Sequence, residues 1–470
     1  MKNAVTLPLW LAIPVIGLAL WALLARILVP SVRWVVRRRI NSLVDELNER
    51  LPIRVQSFKL TKRQVLIDRL MYDPDVLEAA AEFGREEGLP REVVMQKVER
   101  YAREIVPAFN AYFYFRLGYW LSRRLAQTLY RVRVRLTDEA SLSAIDPHAA
   151  IVFVMNHRSN MDYVLVSYLV AERTALSYAV GEWARIWPLD SLIRATGAYF
   201  VRRSSRNALY RRVLQRYVQA AIKEGVTQAV YLEGGLSRDG LMAAPKLGLL
   251  DYMLRSFDPR TSRDIVFIPV GLNYDRVLED RTLLLDLSSS ENRTTGWRAL
   301  WSSGRFLIHN LGLMARGKWH RFGYACVNFG TPISAKEYLS ERDLDLKNMD
   351  RETRFERIGD LAAELMSAIG RVIPVLPVAL VARVLLQHPD RPMSRLEFKG
   401  AVQTEIEALE EAGARVYVPR QDREYAIEVG LRMLTLRRAV DDRGGEIQVK
   451  PEEIALLEYY ANSLDHFETG

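Results

Sequence analysis

Short apolar runs alternate with helical stretches through the middle of the chain. Between about residues 148 and 330 the segments separating the runs, such as Ser205–Lys223 and Lys246–Ser256, carry apolar residues at helical spacing. The runs themselves are rich in β-branched residues, which favours strands. They are Ile151–Met155, Ser177–Val180, Ala198–Val201, Ala229–Leu232, Ile265–Gly271 and Tyr324–Phe329. This alternation predicts an α/β layered domain with a mostly parallel or mixed sheet flanked by helices.

The segments on either side of this domain read as mainly helical. Residues 74–135 carry apolar positions at helical spacing, and residues 331–470 do the same between prolines that mark turns. Short strands are expected at Arg415–Pro419 and Glu446–Lys450. The predicted divisions are residues 1–30, a membrane anchor; 31–145, a basic and helical segment; 146–335, the α/β domain; and 336–470, a mostly helical region.

The amino-terminal segment has a different composition from the rest. Val5 to Ala25 contains no charged residue and approaches the ~20 apolar residues that span a bilayer. Only Lys2 precedes it, whereas a basic cluster follows: Arg26, Arg33, Arg37, Arg38 and Arg39. By the positive-inside rule the basic side stays in the cytoplasm. A cleaved signal peptide is the alternative, but its charge order would be reversed. We expect an uncleaved anchor helix with the bulk of the chain on the cytoplasmic side.

Composition narrows the chemistry. The chain has 470 residues, with 66 basic and 57 acidic ones, and the excess favours an anionic surface or ligand. The basic residues are dispersed and no recognition motif occurs, so nucleic-acid binding is disfavoured. The one cysteine, Cys326, excludes intrachain disulfides and cysteine-based zinc clusters. No HExxH or Walker sequence occurs, so neither a metal site nor a P-loop is expected.

A histidine and a carboxylate follow the first apolar run. His157 and Asp162 are five residues apart, where a strand should give way to a helix. On one helix they would point about 500° apart, so they can meet only if His157 lies on the turn and Asp162 in the first helical turn. Ser159 or Asn160 suits the N-cap of that helix. A histidine held by an aspartate is a general base poised near neutral pH.

Three more segments carry candidate chemistry. Gly197–Arg203 is a strand ending in Arg202 and Arg203, which could fork onto a phosphate. In Glu233–Gly240 the glycines let backbone N–H groups approach an anion or oxyanion, and Glu233 would orient an arginine or a substrate hydroxyl. Ile265–Gly271 contains Pro269, which should place that strand at an edge or bulge.

Together these segments resemble the four ordered blocks of glycerolipid acyltransferases. The strings are HRSNMDYVLVSYL, GAYFVRRSSRNALYRRV, YLEGGLSRDGLMAAPKLG and IVFIPVGLNYDRV, and the likeness covers roughly residues 105–470. It is nearest to the bacterial membrane-bound glycerol-3-phosphate acyltransferases of the PlsB type. Their third block usually reads EGGRSR, whereas Leu236 replaces the first arginine here.

The resemblance implies acyl transfer from a thioester, acyl-CoA or acyl carrier protein, to the sn-1 hydroxyl of glycerol 3-phosphate. It implies that His157 is the general base and that Asp162 fixes its tautomer. Glu233, Gly234 and Ser237 would orient the substrate or the oxyanion, and Pro269 would shape the pocket floor. The acceptor phosphate would be held by basic side chains: Arg202, Arg203, Arg238 and, as an outer contact, Lys246.

No metal, cofactor or covalent enzyme intermediate is required by this chemistry. The expected partners are the acyl donor, glycerol 3-phosphate and membrane phospholipids, at a bacterial inner membrane. Two alternatives stay open. One is an acyltransferase acting on lysophosphatidate or dihydroxyacetone phosphate. The other is a membrane-tethered binding protein that keeps the α/β shell without catalysis.

Overall fold

The computed structural model describes residues 57–171, 174–181, 189–202, 205, 207–288 and 321–467. The chain divides into two compact units, residues 1–54 and 55–470, and every described residue belongs to the second. The predicted anchor in residues 1–30 lies outside the described residues, as does Arg203. Within the described ranges no helix is long and apolar enough to cross a bilayer.

Eight strands of the described chain form one mixed sheet. Its order is β1-β7-β6-β2-β5-β3-β4, with β8 also paired to β6. Neighbours along this path run parallel except β6 with β7, and β8 is likewise antiparallel to β6. The strands are β1 Arg131–Leu136, β2 Ala150–Met155, β3 Ser177–Gly181, β4 Tyr199–Val201, β5 Gln228–Tyr231, β6 Ile265–Tyr274, β7 Tyr324–Phe329 and β8 Ile333–Ser334. The predicted α/β fold with a mixed sheet flanked by helices is confirmed.

Strand β1 corrects the helix predicted over residues 74–135. Its sequence RVRVRL alternates with a period of two, which is the repeat of a strand. The strand pairs with β7 at the edge of the sheet, and two of its arginines lie over the Tyr324 ring. The guanidinium carbons of Arg131 and Arg133 are 5.7 and 5.8 Å from the ring centroid. The alternating arginines therefore mark an exposed edge strand.

Pro269 lies in an interior strand, so the prediction of an edge position is wrong. β6 has β2 on one side and β7 and β8 on the other. The N and O atoms of one strand residue point the same way, and the Pro269 carbonyl accepts from Gly330 N at 2.8 Å, away from β2. On that side β7 ends at Phe329 and β8 begins at Ile333. The missing N–H therefore faces the break between two short partners and costs no ladder bond.

Helices pack against the sheet, and further helices precede and follow its strands in the sequence. A single hydrophobic core joins helices before the sheet to the sheet itself and to the long helix after it, through residues such as Val98, Tyr210, Phe267 and Leu365. Through residue 254 the described helices are α1 Ser57–Leu60, α2 Arg63–Met71, α3 Pro74–Glu86, α4 Arg91–Ile105, a π-helix Phe113–Gly118, α5 Tyr119–Leu129, α6 Glu139–Ser143, α7 Met161–Val170, α8 Leu189–Ala195, α9 Ala208–Lys223 and α10 Gly248–Leu254.

The region after the sheet is mostly helical, as predicted. The strands expected at Arg415–Pro419 and Glu446–Lys450 are present in shorter form. The later helices are α11 Asp280–Ser288, α12 Ala335–Glu341, α13 Arg351–Val372, α14 Pro377–Leu386, α15 Arg395–Glu411, α16 Arg423–Leu436 and α17 Ile454–Ala461, with 3₁₀ turns Pro419–Gln421, Pro451–Glu453 and Asn462–Phe467. The small strands are β9 Pro374–Val375, β10 Met393–Ser394, β11 Arg415–Val416, β12 Val440–Arg443 and β13 Glu446–Val449.

Candidate active site

The site lies at the carboxyl ends of three neighbouring parallel strands. β2 runs between β5 and β6, parallel to both. The loop carrying His157 follows β2, the loop carrying Glu233 follows β5, and Tyr274 is the last residue of β6. Because parallel strands end at the same edge, these residues of distant sequence positions come together there.

His157 and Asp162 form a buried pair. His157 Nδ1 is 2.9 Å from Asp162 Oδ2, and the two side chains are 2% and 0% exposed. His157 lies on the turn after β2, and Asp162 is the second residue of α7, as the spacing requires. The N-cap residue is Asn160, whose side chain makes no capping bond, while Ser159 Oγ accepts from Met161 N at 3.1 Å.

The Asp162 carboxylate accepts four hydrogen bonds when the imidazole carries its proton on Nδ1. Besides that proton, Oδ2 accepts from the backbone nitrogens of Arg158 at 2.8 Å and Ser159 at 3.0 Å. Oδ1 accepts from the hydroxyl of Tyr274 at 2.5 Å. Four donors match a carboxylate anion, which can only accept. Because Nδ1 is hydrogen-bonded to Asp162, the second ring nitrogen, Nε2, is the one that can accept a proton from a group outside the pair.

Aromatic contacts hold the His157 ring. Tyr231 stacks on it with ring centroids 3.9 Å apart and an interplanar angle of 26°. Tyr163 meets it edge-on, with centroids 5.4 Å apart. Nε2 has no hydrogen-bond partner among the described residues. The imidazole is thus fixed in direction through its face and Nδ1 while Nε2 remains available to a substrate proton.

Glu233 ties the two active-site loops together. Its Oε1 accepts from His157 N and its Oε2 from Ala243 N, both at 2.9 Å. Burial raises the pKa of the Glu233 carboxyl, and the two backbone N–H groups oppose that rise. We predicted an arginine or a substrate hydroxyl as its partner. The structure gives both oxygens backbone amides instead, so Glu233 positions the backbone on either side of the site.

The rest of the Gly-rich loop is folded by its own hydrogen bonds. Gly234 has a φ of +71° and its N–H donates to Tyr231 O at 3.0 Å. Ser237 N donates to His157 O at 2.9 Å, and its hydroxyl donates to Leu241 O at 2.9 Å. The amides of Gly235 and Leu236 have no acceptor in the described part of the chain. Gly235 and Leu236, rather than the predicted Gly234, therefore carry the backbone N–H groups of this loop that have no acceptor among the described residues.

The candidate phosphate ligands fall into two groups. Arg202 makes a two-pronged contact with the buried Glu104, at 2.8 and 2.7 Å, and this bond raises the pKa of its guanidinium. Arg238 and Lys246 are exposed, and no described residue makes an ion pair or side-chain hydrogen bond with either. Only these two cations, among the predicted ligands that the structure describes, are unengaged.

Two further properties bear on the chemistry. Pro269 is buried beside Val154, its partner in β2, inside the sheet. Across the described ranges no group of three or more His, Cys, Asp or Glu residues is arranged to hold a metal ion.

Comparison with known proteins shows similarity to acyltransferases in two regions of the chain. Residues 133–273 match the family model described as Acyltransferase, and residues 311–468 match the Glycerol-3-phosphate acyltransferase C-terminal region. Among curated relatives, the glycerol-3-phosphate acyltransferase of Pseudoalteromonas atlantica is 26% identical over 420 residues, and that of Aeromonas hydrophila is 27% identical over 419. Over these two regions the chain is similar to glycerolipid acyltransferases.

The extent of these matches differs between the two partners. Each covers 87% of this chain but 50% of the relative, so the chain spans about half the length of the curated relatives it matches. Among solved structures, a crystal structure of the 1-acyl-sn-glycerophosphate (LPA) acyltransferase PlsC from Thermotoga maritima is 17% identical. It covers 54% of this chain and 78% of that one, with a TM-score of 0.30.

One residue of this site was not singled out from the sequence. Arg158, next to His157, is 3% exposed, and its Nη1 donates to Gly240 O at 2.6 Å. Its Nη2 donates to Tyr459 O at 3.4 Å, and the guanidinium lies 4.7 Å from the Tyr459 ring centroid. Its place beside the histidine was a usable signal, but its partner in α17 is 301 residues away. Arg158 joins the loop of the dyad to the carboxy-terminal region.

Proposed function

We propose that this chain transfers a fatty acyl group from a thioester to the sn-1 hydroxyl of glycerol 3-phosphate, forming lysophosphatidate. The observation that carries the proposal is the buried His157–Asp162 pair, joined at 2.9 Å with Nε2 unpartnered among the described residues. The similarity supplies the reaction class, since the relatives from Pseudoalteromonas atlantica and Aeromonas hydrophila are glycerol-3-phosphate acyltransferases.

In this mechanism His157 is the general base. Its Nε2 removes the proton of the acceptor hydroxyl as that oxygen attacks the thioester carbonyl. Asp162 fixes the tautomer and balances the imidazolium charge. The tetrahedral intermediate collapses to the ester, the carbon–sulfur bond breaks, and the imidazolium returns its proton to the departing thiolate. Such a base contributes typically ~10²–10⁴ in rate. No covalent acyl-enzyme intermediate is needed.

Arg238 and Lys246 are our leading candidates for the acceptor phosphate. Both are exposed, and neither is neutralised by a carboxylate in the described ranges. Arg202 could contribute only by releasing Glu104, and Arg203 remains a sequence-based candidate. The phosphate would thus contact the loop after β5 first.

We assign oxyanion stabilisation to the amides of Gly235 and Leu236. The amide of Gly234 already donates to Tyr231 O, so it has no proton left for the carbonyl oxygen of the thioester. Glu233 and Ser237 would act indirectly, by holding the loop against His157. Pro269 would contribute to the buried floor beneath the dyad. A backbone donor at an oxyanion is typically worth ~10²–10³ in rate.

The membrane is part of the proposal. An apolar segment at Val5 to Ala25, followed by arginines, suits an anchor in a bacterial inner membrane with the active site on the cytoplasmic side. The product and a long-chain donor both partition into lipid. Either acyl-CoA or the acidic acyl carrier protein suits a chain with nine excess positive charges, and neither donor requires a further cofactor.

The test is an acyl-transfer assay on membranes containing the whole chain. Labelled acyl-CoA or acyl carrier protein is offered with glycerol 3-phosphate, dihydroxyacetone phosphate or lysophosphatidate. We expect labelled lysophosphatidate from glycerol 3-phosphate. A preference for either other acceptor would assign that activity instead, and no transfer to any acceptor would favour the non-catalytic binding protein.

A matched pair of variants tests the base. His157→Ala should abolish turnover while leaving acceptor binding largely intact. His148→Ala, at an exposed histidine nine positions earlier, should keep wild-type turnover. Near-normal activity in His157→Ala would refute the assignment.

A further inference from the structure

Among the residues that the structure describes, Tyr274 is the one side chain whose hydroxyl reaches the Asp162 carboxylate. Its oxygen is 2.5 Å from Asp162 Oδ1, the carboxylate oxygen opposite the one that holds His157. The other donors to this carboxylate are the imidazole and two backbone N–H groups, which come from the same loop as the dyad. Tyr274 comes from another strand, 112 residues later in the chain.

The position of Tyr274 is fixed by the fold. The residue ends β6, pairs with Ala325 of β7, and is fully buried. Its ring packs on Tyr130, with centroids 5.3 Å apart. The Tyr130 hydroxyl points elsewhere, donating to Arg276 O at 2.8 Å. The two tyrosines are therefore buried neighbours, and of the two only Tyr274 donates to Asp162.

We propose that Tyr274 is a positioning residue for acyl transfer. Its hydrogen bond to Asp162 sets how strongly Asp162 stabilises the proton on His157. The inference rests on the proposed function of His157 as the base. An O–H donor to a carboxylate forms a short, charge-assisted bond that draws negative charge towards its own side. Negative charge that is drawn to Oδ1 is lost from Oδ2, so Oδ2 stabilises the His157 imidazolium less.

Tyr274 acts only as a donor. Burial, with the nearby Asp162 charge as the second cause, raises the pKa of its phenol well above the ordinary value. The hydroxyl therefore keeps its proton throughout the working range and cannot serve as a second base. Its removal would leave Asp162 with more charge directed at His157, and the imidazole would stay protonated to higher pH.

Other charged or titratable groups surround the His157–Asp162 pair. A substitution at Tyr274 leaves all of them in place. From the dyad's own loop and α7 come Arg158 and Tyr163, and the strands and helices packed around them supply Tyr231, Glu233, Glu279, Tyr130 and Tyr459. Of these, Glu279 accepts from Ser159 Oγ at 2.8 Å rather than from the dyad. None of them donates to Asp162 Oδ1 in the described structure.

The experiment compares Tyr274→Phe with Tyr130→Phe in the full chain. Each removes one buried hydroxyl from the same aromatic core. For Tyr274→Phe we expect the acid limb of kcat/KM to move to higher pH by about 0.5–1 unit. At one pH unit below the wild-type acid limb, kcat/KM should therefore be about three- to tenfold lower than in wild type. KM for glycerol 3-phosphate should be unchanged. Tyr130→Phe should leave the limb in place.

A second readout does not depend on turnover. With ¹³C-labelled histidine, the ring signal of His157, identified by its loss in His157→Gln, should titrate at higher pH in Tyr274→Phe. An unmoved titration in Tyr274→Phe, or an equal movement in Tyr130→Phe, overturns the proposal. Absence of acyl transfer by the wild type, with the titration moved, would instead refute the proposed function alone.

Labelling with 3-fluorotyrosine covers the case in which Tyr274→Phe does not fold. A fluorinated phenol is a stronger donor, so the titration of His157 should move to lower pH in wild type. The same labelling should have the same effect in Tyr130→Phe, whose Tyr274 is intact. No movement in either protein would overturn the proposal.

Discussion

The carbonyl oxygen of Tyr459 lies 2.1 Å from where a β-carbon on Gly240 would be placed. Gly240 lies in the loop between β5 and α10, and its carbonyl accepts from Arg158. Asn462 adds a bond to the same loop, from its Nδ2 to Asp239 O at 2.9 Å. The carboxy-terminal helix α17 therefore packs backbone against backbone on the active-site loop, with no room for a side chain between them.

Gly240→Ala should separate α17 from this loop. The substitution adds a clash with backbone to a φ of +93°, and we expect it to cost about 2–4 kcal/mol of unfolding free energy and most of the activity. Gly413→Ala is the matched control, because Gly413 has a φ of +80° and no atom within 4 Å of its would-be β-carbon. Thermal unfolding of both variants measures the difference, and equal losses would show that backbone strain alone is responsible.

His466 should make the fold sensitive to acid. Burial lowers the pKa of this imidazole from 6.5 to about 4, against a raising effect of the Gly370 carbonyl, 3.0 Å from Nε2. The unfolded chain takes up this proton near pH 6.5, whereas the folded chain does so only near pH 4. Stability from this group is therefore complete above pH 6.5 and lost as pH falls towards 4, by about 2 kcal/mol at pH 5.

His466→Gln is the variant that measures this term. The loss in unfolding free energy between pH 7 and pH 5 should be smaller in His466→Gln than in wild type. His148→Gln, at an exposed position, should behave as wild type does. If the pH dependence were identical in all three proteins, the titration would have to come from another group.

Arg202 and Arg238 should respond differently to the loss of charge. Arg202→Gln removes the two-pronged contact with the buried Glu104, so we expect a loss of about 1–3 kcal/mol in unfolding free energy. Arg238→Gln removes an exposed cation that has no ion-pair partner among the described residues, and it should raise KM for glycerol 3-phosphate about tenfold with the fold unaffected. Unfolding curves and steady-state kinetics on both variants decide the assignment, and an unchanged KM in Arg238→Gln would remove it from the phosphate site.

Leu236→Arg should strengthen acceptor binding. Leu236 is partly exposed in the loop between Glu233 and Arg238. A second guanidinium there should lower KM for glycerol 3-phosphate about three- to tenfold. Leu241→Arg adds the same charge at a more exposed place in the following turn and should change KM little. Equal effects of the two substitutions would indicate general attraction of the anion rather than a specific contact.

The sheet could be read from the sequence because its determinants are local. β2 and β7 are short apolar runs buried at every position, and their bounds were predicted within one residue. The dyad could also be predicted, since five residues and one turn define its geometry. β1 was missed because its alternating arginines lie inside a segment that otherwise reads as helical.

Contacts between distant segments could not be predicted in this way. Arg202 was assigned to a phosphate because nothing in the sequence pairs it with Glu104, 98 residues earlier. Glu233 was expected to orient an arginine or a substrate hydroxyl, and in the structure its two oxygens accept from backbone amides. Backbone donors carry no sequence signature. Tyr274 was missed for a simpler reason, because the predicted strand stopped at Gly271.

The bond from Arg158 to Tyr459 also orders events during synthesis. The dyad is translated 301 residues before the carbonyl that closes behind it. A nascent chain that ends before α17 lacks the carbonyl to which the Arg158 guanidinium donates, so the loop that carries the dyad is not closed on that side. The acyl transfer that we propose would therefore require synthesis to have passed Tyr459 in α17, 301 residues after Arg158.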